Sequence, residues 1–240
     1  MRGQIGIHLS SGISRPKGSS SGRLQSRRLR VLRVWKQDYL HYKYLWPNLE
    51  WAAKTALQRV GTECPRVLDI GCGHKPYRDL FTGVQHWGMD HGTVDTSPDF
   101  VGDALHLPLR DQSVDIVFAT QVIEHVSNPH MMVRECSRVL RPNGFLILSG
   151  PFFWPLHEEP YDFFRFTKYG FEQLLRSAEF LEWQIVEDGG DWAQLMLSIS
   201  LRLNKWLFPL RCVVNITGAL LDSFSRSTRL PANYTVLAKR

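Results

Sequence analysis

The sequence is poor in cysteine and has no long hydrophobic run. Its cysteines form no CxxC pair and no Cys/His spacing typical of a zinc site; they are Cys64, Cys72, Cys136 and Cys212. The longest charge-free apolar stretch near the C-terminus, residues 212–221, is far shorter than the roughly 18 residues of a membrane span. The sequence therefore predicts reduced thiols, no bound metal, no membrane span and a cytoplasmic location.

Acidic residues are missing from the first 37 positions, which hold nine lysines and arginines. The rest of the chain carries 20 basic and 23 acidic side chains, so the net charge of +6 belongs to the N-terminal segment. This segment lacks the continuous apolar core of a secretory signal. We expect residues 1–28 to be a disordered basic leader, with a transit peptide or an arm for anionic lipid or nucleic acid as alternatives. No specific nucleic-acid partner is expected.

The 240 residues, 43% hydrophobic and 12% aromatic, are enough for one substantial core. Residues 29–61 are predicted to form an N-terminal helical segment, in which Asn48 caps a helix after Pro47. Over residues 62–240, short β-rich runs alternate with helical stretches, and the run at 114–120 is nearly all apolar. This pattern predicts an α/β domain with a Rossmann-like doubly wound sheet, mostly parallel with an antiparallel last strand.

The short connection expected before the last strand is missing. Residues 188–232 form a predicted helical insertion instead, with Trp192, Trp206 and several basic side chains. Because the second-last strand ends at the ligand edge of such a sheet, we expect the insertion to stand beside the functional site. Three roles stay open: a helical lid over the substrate pocket, peripheral contact with a membrane through residues 192–224, or dimerisation.

The first predicted strand ends in a glycine-containing loop, DIGCGHKPY. Gly71 and Gly73 permit a tight turn and let a ligand lie against the backbone. Asp90 follows the second strand, 19 residues after Gly71, close to the roughly 20-residue spacing at which a carboxylate binds ribose hydroxyls. Together these residues predict a nucleoside site.

A third glycine is absent from this loop. Lys75 and Pro76 stand where a dinucleotide-binding loop has the glycine that lets a helix pack beneath a pyrophosphate. Pro76 is well tolerated in a first helical turn, which suits a ligand with a ribose and no phosphate. S-adenosylmethionine is such a ligand, and an NAD-dependent oxidoreductase ranks last among the interpretations.

Four segments, in order, resemble the class I S-adenosylmethionine-dependent methyltransferases, particularly the type 11 group. They are VLDIGCG, GMD, GDALHLPLRDQSVDIVFATQVIEHV and RVLRPNGFLILSGP, and the resemblance covers about residues 65 to 180. The resemblance implies seven cofactor-binding residues: Gly71 and Gly73 beside the methionine part, Asp69 near its ammonium, Asp90 on the ribose, Asp103 and Ala104 at the adenine edge, and Gln121 beside the methionine. The alternative for Asp103 is a structural role in fixing a turn.

The segment 150–167 follows the fifth strand and therefore emerges at the same edge. It is similar to a P-x-H-x-x-P-x-D-x-x-R-x-T pattern in type 11 enzymes of surface-glycan and secondary-metabolite clusters, with matches at Pro155, His157, Pro160, Asp162, Arg165 and Thr167. His157 is the candidate general base, with Asp162 and Arg165 as catalytic companions. The alternative is that these three only fix the loop and that transfer needs no base. For Glu124 and His125, one interpretation is a solvated pair at the start of a helix.

These observations predict transfer of a methyl group from S-adenosylmethionine to an oxygen or nitrogen of a small molecule, a glycan or a lipid-linked intermediate. A quinone-precursor methyltransferase is an alternative within the enzymes. A non-catalytic S-adenosylmethionine-binding scaffold is the alternative outside them.

Overall fold

The computed structural model describes residues 33–92, 96–224 and 227–240, so the predicted leader at 1–28 lies outside the described residues. One sheet contains seven strands: β1 (Arg66–Ile70), β2 (Gln85–Asp90), β3 (Phe100–Val101), β4 (Val114–Thr120), β5 (Leu140–Pro151), β6 (Glu182–Asp188) and β7 (Asn233–Lys239). The described α-helices are α1 (Tyr39–Arg59), α2 (Pro129–Val139), α3 (Lys168–Ser177), α4 (Asp191–Arg202) and α5 (Phe208–Phe224).

The strand order is β3-β2-β1-β4-β5-β7-β6. Strand β1 pairs in parallel with both β2 and β4, and β7 lies antiparallel between β5 and β6. The predicted fold class, a mostly parallel Rossmann-like sheet with an antiparallel last strand, is confirmed. The strand order reverses between β1 and β4, which places the ligand crevice at the carboxyl ends of these two strands.

The central strand β4 is buried on both faces, which explains its nearly continuous apolar sequence. Val117 and Ala119 belong to the core beneath α2 and α3, whereas Ile116 and Phe118 belong to the core beneath α1. Alternate residues of one strand thus anchor both helical layers.

The N-terminal helix begins earlier than the sequence predicted. Helix α1 begins at Tyr39 and continues through Pro47, so Asn48 lies inside it and is no cap. The Asn48 side chain instead donates a hydrogen bond of 2.6 Å to the carboxylate of Asp188 at the end of β6. Helix α1 is thereby tied to the far side of the sheet.

The insertion between β6 and β7 contains α4, a 3-10 turn over Lys205–Leu207, and α5. Helix α5 turns its polar side chains inward: its buried residues are Arg211, Asn215 and Gly218. Asn215 donates to the carbonyls of Val34 and Lys36 at 2.6 and 2.9 Å, and Arg211 donates to carbonyls of Trp35 and Leu203.

The outward face of α5 and the turn before it is apolar, and we call it the apolar face. Its exposed side chains are Trp206, Leu207, Phe208, Leu210, Val213, Ile216, Leu220 and Phe224. Residues Lys205–Phe224 are long and apolar enough for a membrane span by length and composition, and only 17% of the most apolar window is buried. This differs from the sequence prediction, which counted only charge-free runs and so stopped at Arg211 and Asp222.

Candidate functional site

The glycine loop after β1 has the open backbone that the sequence predicted. Gly71 and Gly73 have φ angles of +63° and +49°, in the left-handed region that favours glycine. A Cβ at Gly71 would overlap the side chain of Val122, whereas a Cβ at Gly73 would meet nothing within 4 Å. Gly71 is therefore required for packing, and the space at Gly73 is free for a ligand.

Asp90 lies against this loop. One oxygen of its carboxylate accepts a hydrogen bond of 2.8 Å from the Gly73 amide, and the other accepts one of 2.7 Å from the His91 amide. Each carboxylate oxygen has a second lone pair, so the group can also accept from ribose hydroxyls. The structure thus brings together the two halves of the predicted nucleoside site.

Lys75, in the same loop, forms an ion pair. Its ammonium pairs with Asp99 at 2.7 Å, and the other oxygen of Asp99 accepts from the Gly88 amide at 2.7 Å. The loop continues into a three-residue 3-10 turn, Arg78–Leu80, rather than the helix that the sequence suggested after Pro76. Because pyrophosphate binding relies on a long helix at this point, the geometry supports a ligand without phosphate.

Asp69 is buried at the end of β1, where burial raises the pKa of its carboxyl. Its carboxylate lies 3.4 Å from Nε2 of His86. A cavity of about 330 Å³ opens beside it, lined among others by Asp69, Gly71, Gly73, Tyr77, Thr120 and Gln121. Four predicted cofactor residues therefore share one cavity wall.

Asp103 and Ala104 lie after β3, outside the lining of this cavity. Asp103 accepts a hydrogen bond of 2.8 Å from the Leu105 amide and lies 3.2 Å from Nδ1 of His106. The Leu105 amide holds the pKa of Asp103 below its usual range. These contacts support the turn-fixing alternative, and contact with adenine stays a prediction. Ala104 is buried beside it.

Gln121 is held by a buried network that the sequence did not reveal. It has a φ of +56°, and its side chain donates to Ser149 at 3.1 Å and to Asn233 at 2.7 Å. Asn233 donates in turn to the fully buried carboxylate of Asp188, which also accepts from Thr235. The sequence contains one indication of this network: Asp188 ends a predicted strand, as Asp90 does, and so lies at the ligand edge of the sheet.

The segment 150–167 brings its three predicted residues together. Arg165 donates to both oxygens of Asp162, at 2.6 and 2.7 Å, and these bonds hold the pKa of Asp162 well below its usual range. Asp162 also accepts from the backbone amide of His157 at 2.9 Å and lies 3.2 Å from its Nδ1. Arg165 further donates to the carbonyls of Trp154 and Pro155 at 3.1 and 3.0 Å. The loop is therefore pinned from within, and the His157 Nε2 is left out of these bonds.

Two more residues join this group after β4. Glu124 is 0% exposed, and neither of its carboxylate oxygens has a hydrogen-bond partner among the described residues. Burial raises the pKa of Glu124 to about 8. The interpretation of Glu124 and His125 as a solvated pair is therefore wrong, because the segment 150–167 covers both. Nδ1 of His125 lies 2.8 Å from the Tyr161 carbonyl, and its ring lies 4.7 Å from that of His157.

Residues 68–148 match the family model described as a methyltransferase domain. A protein of Mycolicibacterium smegmatis, named a probable S-adenosylmethionine-dependent methyltransferase, is 36% identical over 107 residues, which are 39% of this chain and 42% of that protein. The ubiquinone biosynthesis O-methyltransferase of Rhodopseudomonas palustris is 31% identical over 35% of this chain and 39% of its own length. The chain thus aligns with about two fifths of the length of these relatives.

A solved S-adenosylmethionine-dependent methyltransferase from Archaeoglobus fulgidus has the same fold. Its TM-score is 0.55 at 17% identity, over 80% of this chain and 92% of that one. At this identity the likeness shows the fold alone, while the matched segment 68–148 contains the glycine loop, Asp90 and Gln121. Residues 68–148 therefore match a methyltransferase domain, and the fold around them is the one seen in a solved S-adenosylmethionine-dependent methyltransferase.

Proposed function

We propose that this protein transfers a methyl group from S-adenosylmethionine to an oxygen or nitrogen of an acceptor that enters beside the segment 150–167. The observation that carries this proposal is the open space at Gly73, whose amide is bonded to the Asp90 carboxylate at the strand-order reversal. A ligand that lies on this backbone meets a carboxylate suited to ribose hydroxyls.

The cofactor residues fit the charge of the donor. When bound, S-adenosylmethionine supplies an electrophilic methyl group on a positively charged sulfur. Asp69 lines the cavity and is suited to accept hydrogen bonds from an ammonium group, while Asp90 is suited to hydroxyls. Gln121 has its amide nitrogen occupied by Ser149 and Asn233, so its free carbonyl oxygen is the group that it presents to a ligand.

On the acceptor side, His157 provides an unshared nitrogen lone pair. Asp162 accepts from Nδ1 of His157, which leaves the Nε2 lone pair to take up a proton from an acceptor hydroxyl. Arg165 fixes Asp162, and Asp162 fixes His157, so we assign both as positioning residues. Alignment of the acceptor with the methyl carbon supplies the rest of the acceleration.

The apolar face favours a lipid-linked acceptor over a freely soluble one. Helix α5 turns Arg211 and Asn215 inward, and its exposed row of large apolar side chains has no partner within the described chain. Arg202 and Lys205 precede the row and would meet anionic headgroups. Trp154 of the segment 150–167 and Met196 of α4 pack against the same small core around Leu197, so the insertion adjoins the acceptor side. We therefore propose peripheral membrane contact through residues 192–224, and a quinone precursor is one acceptor of this class.

Calorimetry with S-adenosylhomocysteine and with NAD tests the cofactor assignment. We expect binding of S-adenosylhomocysteine in the micromolar range and no binding of NAD; preferential binding of NAD would overturn the proposal. Transfer of label from methyl-labelled S-adenosylmethionine into a lipid extract, compared with water-soluble glycans, then tests the acceptor class. Cofactor binding without transfer to any acceptor would favour the scaffold alternative.

A further inference from the structure

Glu124, His125 and His157 form a cluster on the acceptor side, which we call the Glu-His-His cluster. One carboxylate oxygen and one nitrogen of each ring lie within 4.8 Å of one another. Glu124 and His125 belong to the 3-10 turn after β4, and His157 belongs to the segment after β5. Neighbouring parallel strands therefore deliver the three side chains to one point.

The carboxylate of Glu124 has no partner of its own. It is 0% exposed, and no hydrogen bond reaches either oxygen from the described residues. Nε2 of His125 lies 3.9 Å from one of its oxygens, beyond hydrogen-bond distance. A buried carboxylate without donors is costly unless a proton or a cation compensates it, so a cation bound between these atoms could take the place of that proton.

Hydrogen bonds fix both histidines in the form that binds metals. A carbonyl oxygen can only accept, so Nδ1 of His125 carries the proton that it shares with Tyr161, and Nε2 is left with a lone pair. Asp162 accepts in the same way from Nδ1 of His157. A ligating histidine usually donates its other nitrogen to a carbonyl or carboxylate in this manner.

The surrounding charges also call for a cation. Asp162 and Arg165 neutralise each other, which leaves the carboxylates of Glu124 and Glu158, each 3.9 Å from Nε2 of His125. Ligand atoms that share a tetrahedral ion at about 2.1 Å lie about 3.4 Å apart. The Glu124–His125 distance of 3.9 Å is about half an ångström wider, and the three ligand atoms together lie within 4.8 Å, so ion binding requires them to move closer. The His157 ring is partly exposed and has room for such a movement.

We propose that Glu124, His125 and His157 bind a divalent metal ion of the zinc or first-row transition class, which leaves a coordination position for an acceptor oxygen. Mixed imidazole and carboxylate ligands suit such ions. The inference rests on the proposed function and names the acceptor chemistry: a hydroxyl that binds a metal. A metal-bound hydroxyl releases its proton to water more readily, its oxygen then bonds to the methyl carbon, and the electrons of the broken carbon–sulfur bond remain on sulfur. The Nε2 lone pair of His157 serves one role at a time: it binds the metal when the ion is present, and in the metal-free protein it is free to take up the proton of the acceptor hydroxyl.

The test is a metal titration of protein freed of metal by chelator and dialysis. Zn²⁺ is added in a calorimeter, and Co²⁺ is followed by its visible absorption, which reports the ligand geometry. We expect one equivalent to bind, and Glu124→Gln and His125→Ala each to weaken binding at least about tenfold. His130→Ala is the matched control, since His130 is an exposed histidine on α2 that bonds to Ser177.

Equal affinity in wild type, Glu124→Gln and His125→Ala would overturn the proposal, as would a comparable loss in His130→Ala. Circular dichroism and S-adenosylhomocysteine binding show whether each variant is folded, and two variants in different residues guard against misfolding of one. Binding of S-adenosylhomocysteine without metal binding refutes only the metal site. Metal binding without S-adenosylhomocysteine binding refutes the proposed function instead.

Discussion

At the scale of the residue, the side chain of His157 is held by charge rather than by packing. Asp162 is 1% exposed at its side chain and stays ionised because Arg165 donates to both of its oxygens. An ionised partner at 3.2 Å keeps the Nδ1 proton on the histidine and turns the other nitrogen outward. Loss of either partner would therefore release both the tautomer of His157 and the loop that these bonds hold.

We predict that His157→Ala lowers turnover by roughly 100-fold or more, while S-adenosylhomocysteine affinity stays within a few-fold. The cofactor cavity is lined by residues of the glycine loop and the end of β4, not by His157. Steady-state kinetics on an identified acceptor and calorimetry separate the two effects, and His130→Ala, at an exposed histidine that bonds to Ser177, is the control. Near-normal turnover in His157→Ala would assign the histidine to loop fixation alone.

Asp90→Ala is expected to weaken the binding of S-adenosylhomocysteine by roughly 1 to 3 kcal/mol, because the ribose hydroxyls lose their hydrogen-bond acceptor. Asp103→Ala provides the comparison. If Asp103 only fixes its turn through Leu105 and His106, calorimetry should show an affinity within a few-fold of wild type. A loss as large as that of Asp90→Ala would place Asp103 on the adenine edge.

The sequence predicted the positions of those site residues that depend on local spacing, while their roles stay predictions. Gly71, Gly73 and Asp90 follow predicted strands, and parallel strands deliver their ends to one edge. The partners of Gln121 could not be predicted, because its bond to Asn233 crosses 112 positions of sequence. The burial of Glu124 was missed for the same reason, since the chain that covers it arrives only with the segment 150–167.

At the scale of the element, α5 reverses the usual rule. Periodicity alone predicts that the apolar stripe of a helix faces the core. Here Arg211 and Asn215 face inward, because the carbonyls of residues 34–36 and Leu203 need donors, and the apolar side chains are left outside. The sequence could indicate that the insertion is helical and apolar, but not which face it turns to solvent.

We predict that the protein floats with vesicles of phosphatidylcholine and phosphatidylglycerol. The variant Trp206→Ser/Val213→Ser/Leu220→Ser is expected to lose flotation and to keep S-adenosylhomocysteine binding, since all three side chains are more than half exposed. Leu181→Ser is the control, because Leu181 is 75% exposed just before β6, away from the insertion. The contrary outcome is a wild type that does not float and that sediments as a dimer, together with a triple variant that sediments as a monomer. That outcome would assign the apolar face to contact between copies of the protein.

At the scale of the whole molecule, Asp188 links four distant parts of the chain. It accepts from Asn48 of α1 and from Asn233 and Thr235 of β7, and Asn233 continues to Gln121 at the cavity. The position of a cavity residue thus depends on the docking of the N-terminal helix. The overall strand order was predictable from alternating patterns, whereas this link requires the assembled sheet.

Stability should depend on pH through Asp188. Burial raises its pKa to about 6 in the folded protein, so the folded state binds the proton more tightly than the unfolded state. The resulting stabilisation is present below about pH 4 and is lost as pH rises through about 6, an effect of about 3 kcal/mol. Urea unfolding of wild type and Asp188→Asn should show wild type relatively more stable at pH 4 than at pH 7. A difference that does not change with pH would contradict this assignment.

Strand β7 runs against its neighbours, and this direction has one further consequence. Asp188 and Asn233 are paired in the antiparallel register, so the chain leaves the sheet and returns to it at adjacent positions. Residues 189–232 are therefore an insertion whose two ends lie side by side in the sheet. None of the predicted donor-binding residues lies within it. Exchange of this segment, together with the residues 34–36 that it bonds, would therefore change the surface beside the acceptor and leave every predicted donor-binding residue in place.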